Sequence, residues 1–360
     1  MPAKAKQSKA PCPQEAPVQT GVRTTGVKKG SSPQLRKEPK NPKAQAQLWD
    51  QWDQLHGHRM HRRNKKTIKQ APIRTEPYIV SIINQKGGTG KTTTTINLGS
   101  ALAYQGFPTL LVDLDPQGHT TIGLGIDPDS FLESMAEVMS IPKKPVADIT
   151  VHTYIPKLYL APAHIRLAPV AEQIYARIFR EAILHQALQG LPYDFILIDC
   201  PPSLGVLTIN ALYACDLIII PCQISRYSLD GLADLLTTVE HVKALKPQDL
   251  FKSDLFRILL TMYDRRNRVT NHYVLEEIKP YWNKTFQTII MKNESLNQAQ
   301  IAQKAVFDFD PDSSGSTDYQ NLALEFLQLY HRRTGVPVEE RLLTTSVRAN
   351  LSFETELINP

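Results

Sequence analysis

The chain has 360 residues, of which 42% are hydrophobic and 21% are charged. This composition indicates a globular protein with one large α/β domain and an appendage, and no apolar run approaches the ~20 residues that span a bilayer. The basic N-terminus lacks the apolar segment of a secretory signal. None of the four cysteines shows CxxC spacing, which argues against a disulfide scaffold or a zinc ribbon and favours a reducing cytoplasm.

The net charge of +6 is distributed unevenly along the chain. Residues 1–75, called the basic arm here, contain 17 Lys and Arg against 4 Asp and Glu, a balance of +13. The other 285 residues contain 24 basic against 31 acidic side chains. An arm of this charge suits a polyanion such as nucleic acid, or an acidic membrane surface, although a charge run can also be only a solvated tail.

The basic arm divides into two parts by composition. Residues 1–40 are poor in large apolar side chains, so we expect them to be disordered. Within residues 41–66, two leucines and two tryptophans recur at helical spacing, namely Leu48, Trp49, Trp52 and Leu55. This pattern predicts a short amphipathic helix whose tryptophans either dock on a protein surface or insert at a membrane interface.

From Tyr78 onward, short apolar runs alternate with helical segments. The predicted strands are 78–83, 109–115, 158–162, 194–200, 216–222, 256–263 and 285–290, and the predicted helices are 92–105, 166–189, 228–244, 270–281 and 317–333. Strands that are apolar on both faces are typical of a parallel sheet covered by helices on both sides. We therefore predict an α/β domain with a doubly wound, mostly parallel sheet over residues 76–335, followed by a weakly patterned tail over 336–360.

The strongest motif is NQKGGTGKTT at residues 84–93, between the first predicted strand and the first predicted helix. Its glycines let backbone N–H groups converge on phosphate oxygens, and the helix directs its positive end at the anion. Lys91 can reach the β- and γ-phosphates, and the Thr92 hydroxyl can ligate Mg²⁺. Although Gln85 departs from the strict G-x-x-x-x-G-K-[ST] pattern, the motif predicts a nucleotide site. The predicted cofactor-binding residues of this loop are Lys86, Gly87, Gly88, Thr89, Gly90, Lys91, Thr92 and Thr93.

Several ordered motifs resemble those of the ParA/MinD family of deviant Walker ATPases, and of its ParA (Soj-like) partition branch in particular. Besides the loop, LLVDLDPQGHTT at 110–121, DFILIDCPPSLGVLTINAL at 194–212 and LLTMYDRR at 259–266 match in order. The resemblance covers roughly residues 76–334. It implies the P-loop NTPase fold, ATP and Mg²⁺ as cofactors, slow hydrolysis stimulated by a partner, and a homodimer that sandwiches ATP. Lys86 matches the signature lysine, which in the family reaches the nucleotide of the partner subunit.

Three aspartates are candidates for the chemistry. Asp199 ends a buried apolar strand beside the phosphate loop, where a carboxylate can hold Mg²⁺ directly or through water. Asp113 and Asp115 alternate at another strand end and so point to the same side. The resemblance implies that Asp115 positions or activates the attacking water and that Asp113 lies near the metal, while either could instead be a structural partner of the loop. The predicted catalytic residues are Lys86, Lys91 and Asp115, and the predicted metal residues are Thr92, Asp113 and Asp199.

The resemblance also implies adenine and DNA contacts. Family adenine contacts lie on loops after the later strands, and from these only Asn293 is carried over. ParA relatives bind DNA non-specifically through basic side chains on a surface that the ATP-bound dimer completes. A second family arginine is replaced here by Ser295, and the basic arm could supply the lost charge. An ordinary solvated loop is the alternative. The predicted DNA-binding residues are Arg265, Arg266, Arg268 and Lys292.

Two functions remain open at this point. The first is an ATP-dependent partition protein that works with a ParB-like partner and segregates plasmid or chromosomal DNA, or another large cargo, in the cytoplasm over the nucleoid. The second is a membrane-associated ATPase that positions the cell-division site and is anchored through Trp49 and Trp52. The segment 336–360 contains four glutamates, unlike the basic amphipathic helix that a MinD-like anchor requires, so the first is favoured.

Overall fold

The computed structural model of the protein describes residues 76–225, 231–245 and 255–339. The basic arm, the helix predicted within 41–66 and the tail from residue 340 lie outside these residues. The predictions made for them, and the domain division based on them, therefore stay predictions.

A sheet of seven strands forms the centre of the described part of the chain. Its strands are β1 (Tyr78–Ile82), β2 (Thr109–Asp113), β3 (Val151–His152), β4 (Leu158–Ala161), β5 (Phe195–Asp199), β6 (Leu217–Gln223) and β7 (Phe256–Thr261). The α-helices are α1 (Lys91–Tyr104), α2 (His119–Gly123), α3 (Met135–Ser140), α4 (Leu167–Ile174), α5 (Ile183–Ala187), α6 (Val206–Ala214), α7 (Leu232–Leu245), α8 (Arg268–Ile278), α9 (Glu294–Ile301), α10 (Val306–Phe309) and α11 (Ser314–Thr334). Short 3₁₀ segments cover Val146–Ile149, Arg180–Ala182 and Lys279–Lys284.

The order of the strands determines where the loops meet. The sheet reads β3-β4-β2-β5-β1-β6-β7, and every pairing is parallel except that of the short β3 with β4. At the carboxyl end of β5, Asp199 stands between Ile82 of β1 and Asp113 of β2. The loops after β1, β2 and β5 therefore emerge side by side, at the edge where open α/β sheets bind ligands.

Both faces of the sheet are covered, as the two-sided apolar strands predicted. Every residue of β1, β2 and β5 is buried. On one face α1 and α11 pack together, and the ring of Tyr78 meets Tyr330 edge-on at 5.1 Å between centroids. On the other face, residues of α3, α6 and α7 such as Val138, Ala211 and Leu235 join the core. The prediction of a doubly wound, mostly parallel sheet is confirmed.

The strand predicted at 285–290 is wrong. Within this segment only Thr285 forms an isolated bridge, to Ile258 of β7. The reason is that the amides of the segment have two different kinds of partner. The N–H groups of Phe286 and Ile290 donate to carbonyls of β7 at 2.9 Å. Those of Gln287 and Thr288 donate instead to the carboxylate of Glu325 on α11, at 2.8 and 2.9 Å. The side chain of α11 thus interrupts what would otherwise continue the sheet.

The single helix predicted over 166–189 is also wrong. The structure has α4, a 3₁₀ turn and α5 there, and Phe179 between them has a left-handed φ of 56°, a conformation that ends a regular helix. The guanidinium of Arg177 donates to the carbonyls of Met139 and Ser140 at the end of α3. A tertiary contact thus holds the chain where helical spacing alone would continue the helix.

Candidate nucleotide-binding site

The loop between β1 and α1 is open toward solvent on one side. Gly88 and Gly90 have φ values of 72° and 90°, which side-chain-bearing residues rarely adopt, so the turn requires glycine at both positions. A Cβ placed on Gly87 or Gly88 would meet no atom within 4 Å. The backbone of the loop therefore faces open space directly before α1, in the arrangement that binds phosphate at a helix N-terminus.

The other side of the loop is tied to neighbouring strands. Asn84 donates from Nδ2 to the carbonyl of Pro221 on β6 at 2.7 Å, and its Oδ1 accepts the N–H of Lys86 at 2.9 Å. The hydroxyl of Thr261 at the end of β7 donates to the carbonyl of Thr89 at 2.9 Å. These polar contacts fix the loop against β6 and β7.

A cleft of about 510 Å³ lies in front of the loop, within the size range of small-molecule sites. Most of the predicted loop residues border it, together with side chains from the loops after β2 and β5 and from α9. The predicted site residues that border it are Gly87, Gly88, Gly90, Lys91, Thr92, Thr93 and Asp115.

Lys91 is only 8% exposed, and its Nζ donates to the carbonyl of Lys86 at 3.1 Å. Burial lowers the pKa of Lys91, while the carboxylates of Asp199 and Asp115 partly offset this shift. An ammonium group that has lost much of its hydration beside an open loop gains strongly from an anion. Its position suits contact with a phosphate.

Asp199 has two oxygens in different surroundings. Its Oδ2 accepts the hydroxyls of Thr92 and Thr120, each at 2.7 Å, whereas its buried Oδ1 has no hydrogen-bond partner. Burial raises the pKa of Asp199 to about 6 against the opposing effect of the two hydroxyls and of Lys91. A buried carboxylate oxygen without a partner needs an explanation, and a divalent cation would supply one and favour the charged form.

The donor set at this point fits Mg²⁺ bound together with a nucleotide. Thr92 uses its proton toward Asp199, which leaves hydroxyl lone pairs for a metal. Among the residues that the structure describes, no group of three or more His, Cys, Asp and Glu side chains could hold a metal alone. Mg²⁺ usually takes one or two protein ligands and completes its shell with water and substrate phosphates, so this sparse set is appropriate.

Asp113 lies deeper, and the protein already satisfies its carboxylate. Oδ2 accepts the N–H and the hydroxyl of Thr121 at 2.8 and 2.7 Å, and Oδ1 accepts the N–H of Asp115 at 3.3 Å. Burial and the nearby charge of Asp199 raise the pKa of Asp113 to about 8. The structure thus gives no support to Asp113 as a metal residue and favours the alternative that it holds the loop after β2.

Asp115 and Lys86 differ in how they relate to the cleft. Asp115 borders it, and its Oδ1 accepts the N–H of Gln117 at 3.0 Å. The Nζ of Lys86 donates instead to the hydroxyl of Ser225, after β6, at 2.8 Å. In this arrangement the ammonium group of the predicted signature lysine is directed to the segment after β6.

Asn293, the predicted adenine contact, caps α9. Its Oδ1 accepts the N–H of Ser295 at 2.7 Å, and its Nδ2 donates to the hydroxyl of Ser314 at 2.6 Å. It borders a second cleft of about 430 Å³, and Asn297 borders both clefts. The structure does not bring Asn293 to the phosphate loop, and its adenine role stays a prediction.

Three of the predicted DNA-binding side chains, Arg265, Arg266 and Lys292, border this second cleft, while Arg268 begins α8. Arg266 is exposed and forms a bidentate pair with Asp264, with Nε–Oδ1 and Nη2–Oδ2 distances of 2.9 and 2.7 Å. Hydrogen bonds from Arg266 lower the pKa of Asp264 to about 2. The predicted patch therefore exists as a surface, but an acidic side chain partly neutralises it.

Sequence reasoning missed several side chains of the site. Thr120 and Thr121, at the start of α2, each bind one of the buried aspartates. The motif at 110–121 contains both threonines, but nothing in it says which carboxylate each hydroxyl would reach. Gln300 of α9 donates to the hydroxyl of Thr93 at 2.5 Å, a contact across 207 residues that no local pattern indicates.

Comparison with known proteins places the chain in a family. A family model described as an AAA domain matches residues 78–252. Over 250 residues the chain is 43% identical to the sporulation initiation inhibitor protein Soj of Bacillus subtilis, covering 69% of this chain and 97% of that protein. The chain belongs to the ParA/Soj family of P-loop ATPases. The chromosome partitioning protein ParA of Caulobacter vibrioides is a further relative, with 37% identity over 254 residues, 69% of this chain and 93% of that protein.

Solved structures agree with this membership. The crystal structure of cobyrinic acid a,c-diamide synthase from Mycobacterium smegmatis, with bound ATP analog and magnesium, aligns with a TM-score of 0.60 and 32% identity, over 72% of this chain and 97% of that one. An ATP complex of McdA from Cyanothece aligns with a TM-score of 0.60 and 20% identity, over 73% and 98%, and supports the fold alone. The predictions of the P-loop NTPase fold and of the ParA/MinD family are confirmed.

Proposed function

We propose that this ParA/Soj-family chain binds ATP with Mg²⁺, hydrolyses it, and uses the cycle to partition DNA. The observation that carries the nucleotide step is the arrangement at Asp199. Its Oδ2 accepts the Thr92 hydroxyl while its buried Oδ1 has no partner, directly beside an open glycine loop. The structure from Mycobacterium smegmatis with an ATP analog and magnesium supports the same pair of ligands here.

The roles of the individual groups follow from their positions. The loop backbone and the N-terminus of α1 bind the phosphates, and Lys91 neutralises the β- and γ-phosphate charge. Thr92 and Asp199 hold Mg²⁺, which when bound stabilises negative charge on the phosphate oxygens. Asp115, at the edge of the cleft, orients the attacking water. Because phosphoryl transfer depends mainly on positioning and charge stabilisation, this set is sufficient for slow hydrolysis.

Dimerisation is part of the proposal because of the position of the Lys86 ammonium group. The Nζ of Lys86 donates to the hydroxyl of Ser225, after β6, at 2.8 Å. We infer that Lys86 acts on the nucleotide of a second copy in an ATP-sandwiched homodimer. A partner protein of the ParB type then stimulates the slow hydrolysis that releases the dimer.

The proposed cargo is plasmid or chromosomal DNA, in keeping with the partition names of the relatives. Arg265, Arg266, Arg268 and Lys292 supply phosphate contacts in the ATP state, and the basic arm adds charge without sequence preference. The protein would then be a cytoplasmic one associated with the nucleoid. Within the described residues, no helix is long and apolar enough to cross a membrane, and no observation there favours the division-site alternative.

One pair of measurements tests this function. ATP turnover by the full chain should require Mg²⁺ and should be lost in Lys91→Ala. Binding to duplex DNA and to anionic liposomes is then compared with and without ATP. The proposal expects ATP-dependent DNA binding, whereas ATP-dependent liposome binding without DNA binding would favour the division-site alternative.

A further inference from the structure

Two consecutive threonines at the start of α2 bind two different buried carboxylates. Thr120 donates from Oγ1 to Oδ2 of Asp199 at 2.7 Å. Thr121 donates from Oγ1 and from its N–H to Oδ2 of Asp113, at 2.7 and 2.8 Å. Both threonines are completely buried. The first turn of α2 therefore bridges the strand ends of β2 and β5.

At Asp199 this bridge makes the two carboxylate oxygens differ in their hydrogen bonding. Oδ2 receives one hydroxyl from Thr92 of α1 and one from Thr120 of α2. Oδ1, equally buried, receives no hydrogen bond. Two donors on the same oxygen fix the rotation of the carboxylate, so that the oxygen left for a cation is always Oδ1.

The loop that joins Asp115 to α2 is tight. The N–H of Gln117 donates to Oδ1 of Asp115 at 3.0 Å, and the N–H of Gly118 donates to the Asp115 carbonyl at 2.9 Å. Gly118 has a left-handed φ of 65°. The backbone between Asp115 and Thr120 therefore has little conformational freedom. A displacement of Asp115 should also displace Thr120.

We propose that Thr120 is a positioning residue of the ATPase site, which orients Asp199 for the metal and links it to the loop that carries Asp115. This inference rests on the proposed Mg-ATP function. Thr92 and Thr120 both donate to Oδ2 of Asp199, so a cation on Oδ1 and the first turn of α2 act on the same carboxylate. Binding of the metal should therefore restrict the Asp115 loop through Thr120.

The test replaces Thr120 by Val, which keeps the shape of the side chain and removes its hydroxyl. Mn²⁺ serves as the metal probe, and its affinity for the full chain in the presence of a non-hydrolysable ATP analogue is measured by electron paramagnetic resonance. Loss of a partner that orients a ligand typically weakens metal binding by about 10- to 100-fold. We expect that loss in Thr120→Val and affinity near that of the wild type in Thr120→Ser.

Thr95→Val is the matched control. Thr95 is also a fully buried threonine, but its hydroxyl donates to the Lys91 carbonyl within α1 at 3.1 Å. It therefore reports the general effect of placing Val at a buried threonine position. Should Thr120→Val not fold, Thr120→Ala removes the same hydroxyl with less steric demand and is judged against the same expectation.

Hydrogen exchange supplies a second readout that does not depend on turnover. In the wild type, Mn²⁺ with the analogue should slow exchange of the amides between Gln117 and Thr121, and Thr120→Val should lose this slowing. Unchanged Mn²⁺ affinity together with unchanged protection would overturn the inference. If the wild type itself binds no Mn²⁺ with the analogue, the proposed function fails, and this inference fails with it.

Discussion

The Thr92 hydroxyl and the Asp199 carboxylate lie 2.7 Å apart, although 107 residues separate them in the chain. The parallel register of the sheet explains this, since Asp199 pairs with Ile82 at the end of β1, and the phosphate loop follows that strand. A hydroxyl at the start of α1 therefore meets a carboxylate at the end of β5. The proposed Mg²⁺ site depends on this hydrogen bond between Thr92 and Asp199.

Lys91→Ala should weaken nucleotide binding. A hydrogen bond from a charged donor contributes about 1.5–3 kcal/mol, so we expect affinity for a fluorescent ATP analogue to fall at least about tenfold. Lys157→Ala, which removes an exposed lysine that donates to Gly106, should bind as the wild type does.

Asp115→Ala should separate binding from hydrolysis. A positioned group that assists proton transfer contributes on the order of 10²- to 10⁴-fold, so single-turnover hydrolysis should slow by that factor while analogue affinity stays unchanged. The ATP-bound dimer should then persist in light-scattering measurements. Asp127→Ala is the control, because the carboxylate of Asp127 accepts a local turn contact from the N–H of Asp129. Normal hydrolysis in Asp115→Ala would show that its assigned role is wrong.

The Asp264–Arg266 pair should be visible in a titration of the folded protein. Arg266→Ala should raise the pKa of Asp264 from about 2 toward its ordinary 3.8, measured by carboxyl carbon NMR. Because the folded-state pKa is the lower one, the pair stabilises the fold above pH 3.8, and this contribution disappears as the pH falls toward 2. A pKa that does not move in the variant would mean that Arg266 does not hold Asp264 in solution.

Substitutions at Arg266 and at Asp264 should have opposite effects on DNA binding. Arg266→Glu should weaken binding of the full chain with ATP equally for unrelated duplexes, and loss of one phosphate contact should reduce the salt slope by about 0.9. Asp264→Asn should strengthen binding, because it frees Arg266 and removes a negative charge. Fluorescence anisotropy over a salt series measures both. Arg332→Glu, a charge reversal at the end of α11, is the control. Equal changes in DNA affinity in all three variants would argue against a localised patch.

Removal of residues 1–73 should leave ATP binding intact, because every proposed nucleotide contact lies in the described part of the chain after β1 begins. DNA affinity at moderate salt should fall and depend less on salt, since most of the +13 balance of the basic arm is lost. Equally tight DNA binding by the truncated protein would exclude this electrostatic role. The tryptophan segment within 41–66 would then be better explained as a partner-binding element.

The parts of the site that consist of adjacent residues can be predicted from the sequence. The phosphate loop needs glycines and a following helix, and both are adjacent in the chain, so its position was predictable. β1, β2 and β5 carry apolar side chains on both faces, which indicated their burial. The positions of the carboxylates at their ends are therefore predictable without knowledge of the strand register.

Contacts between distant side chains were not predictable in the same way. The family resemblance implies a place near the metal for Asp113, and only the hydrogen bonds from Thr121 show that protein groups already bind its carboxylate. Residues 285–290 have the apolar pattern of a strand, but Glu325 on α11 takes two of their amides. Both contacts depend on side chains that are distant in the sequence. Hydrophobic periodicity does not indicate which distant side chain will form them.

ATP-switched DNA binding is tested most directly by titrating the full chain with non-specific duplex DNA at fixed salt, with Mg²⁺ and either ATP, ADP or no nucleotide. We predict tight binding with ATP, retained in Asp115→Ala, and weak binding with ADP, without nucleotide, or in Lys91→Ala. The same affinity under all of these conditions would contradict a nucleotide-controlled DNA partition ATPase.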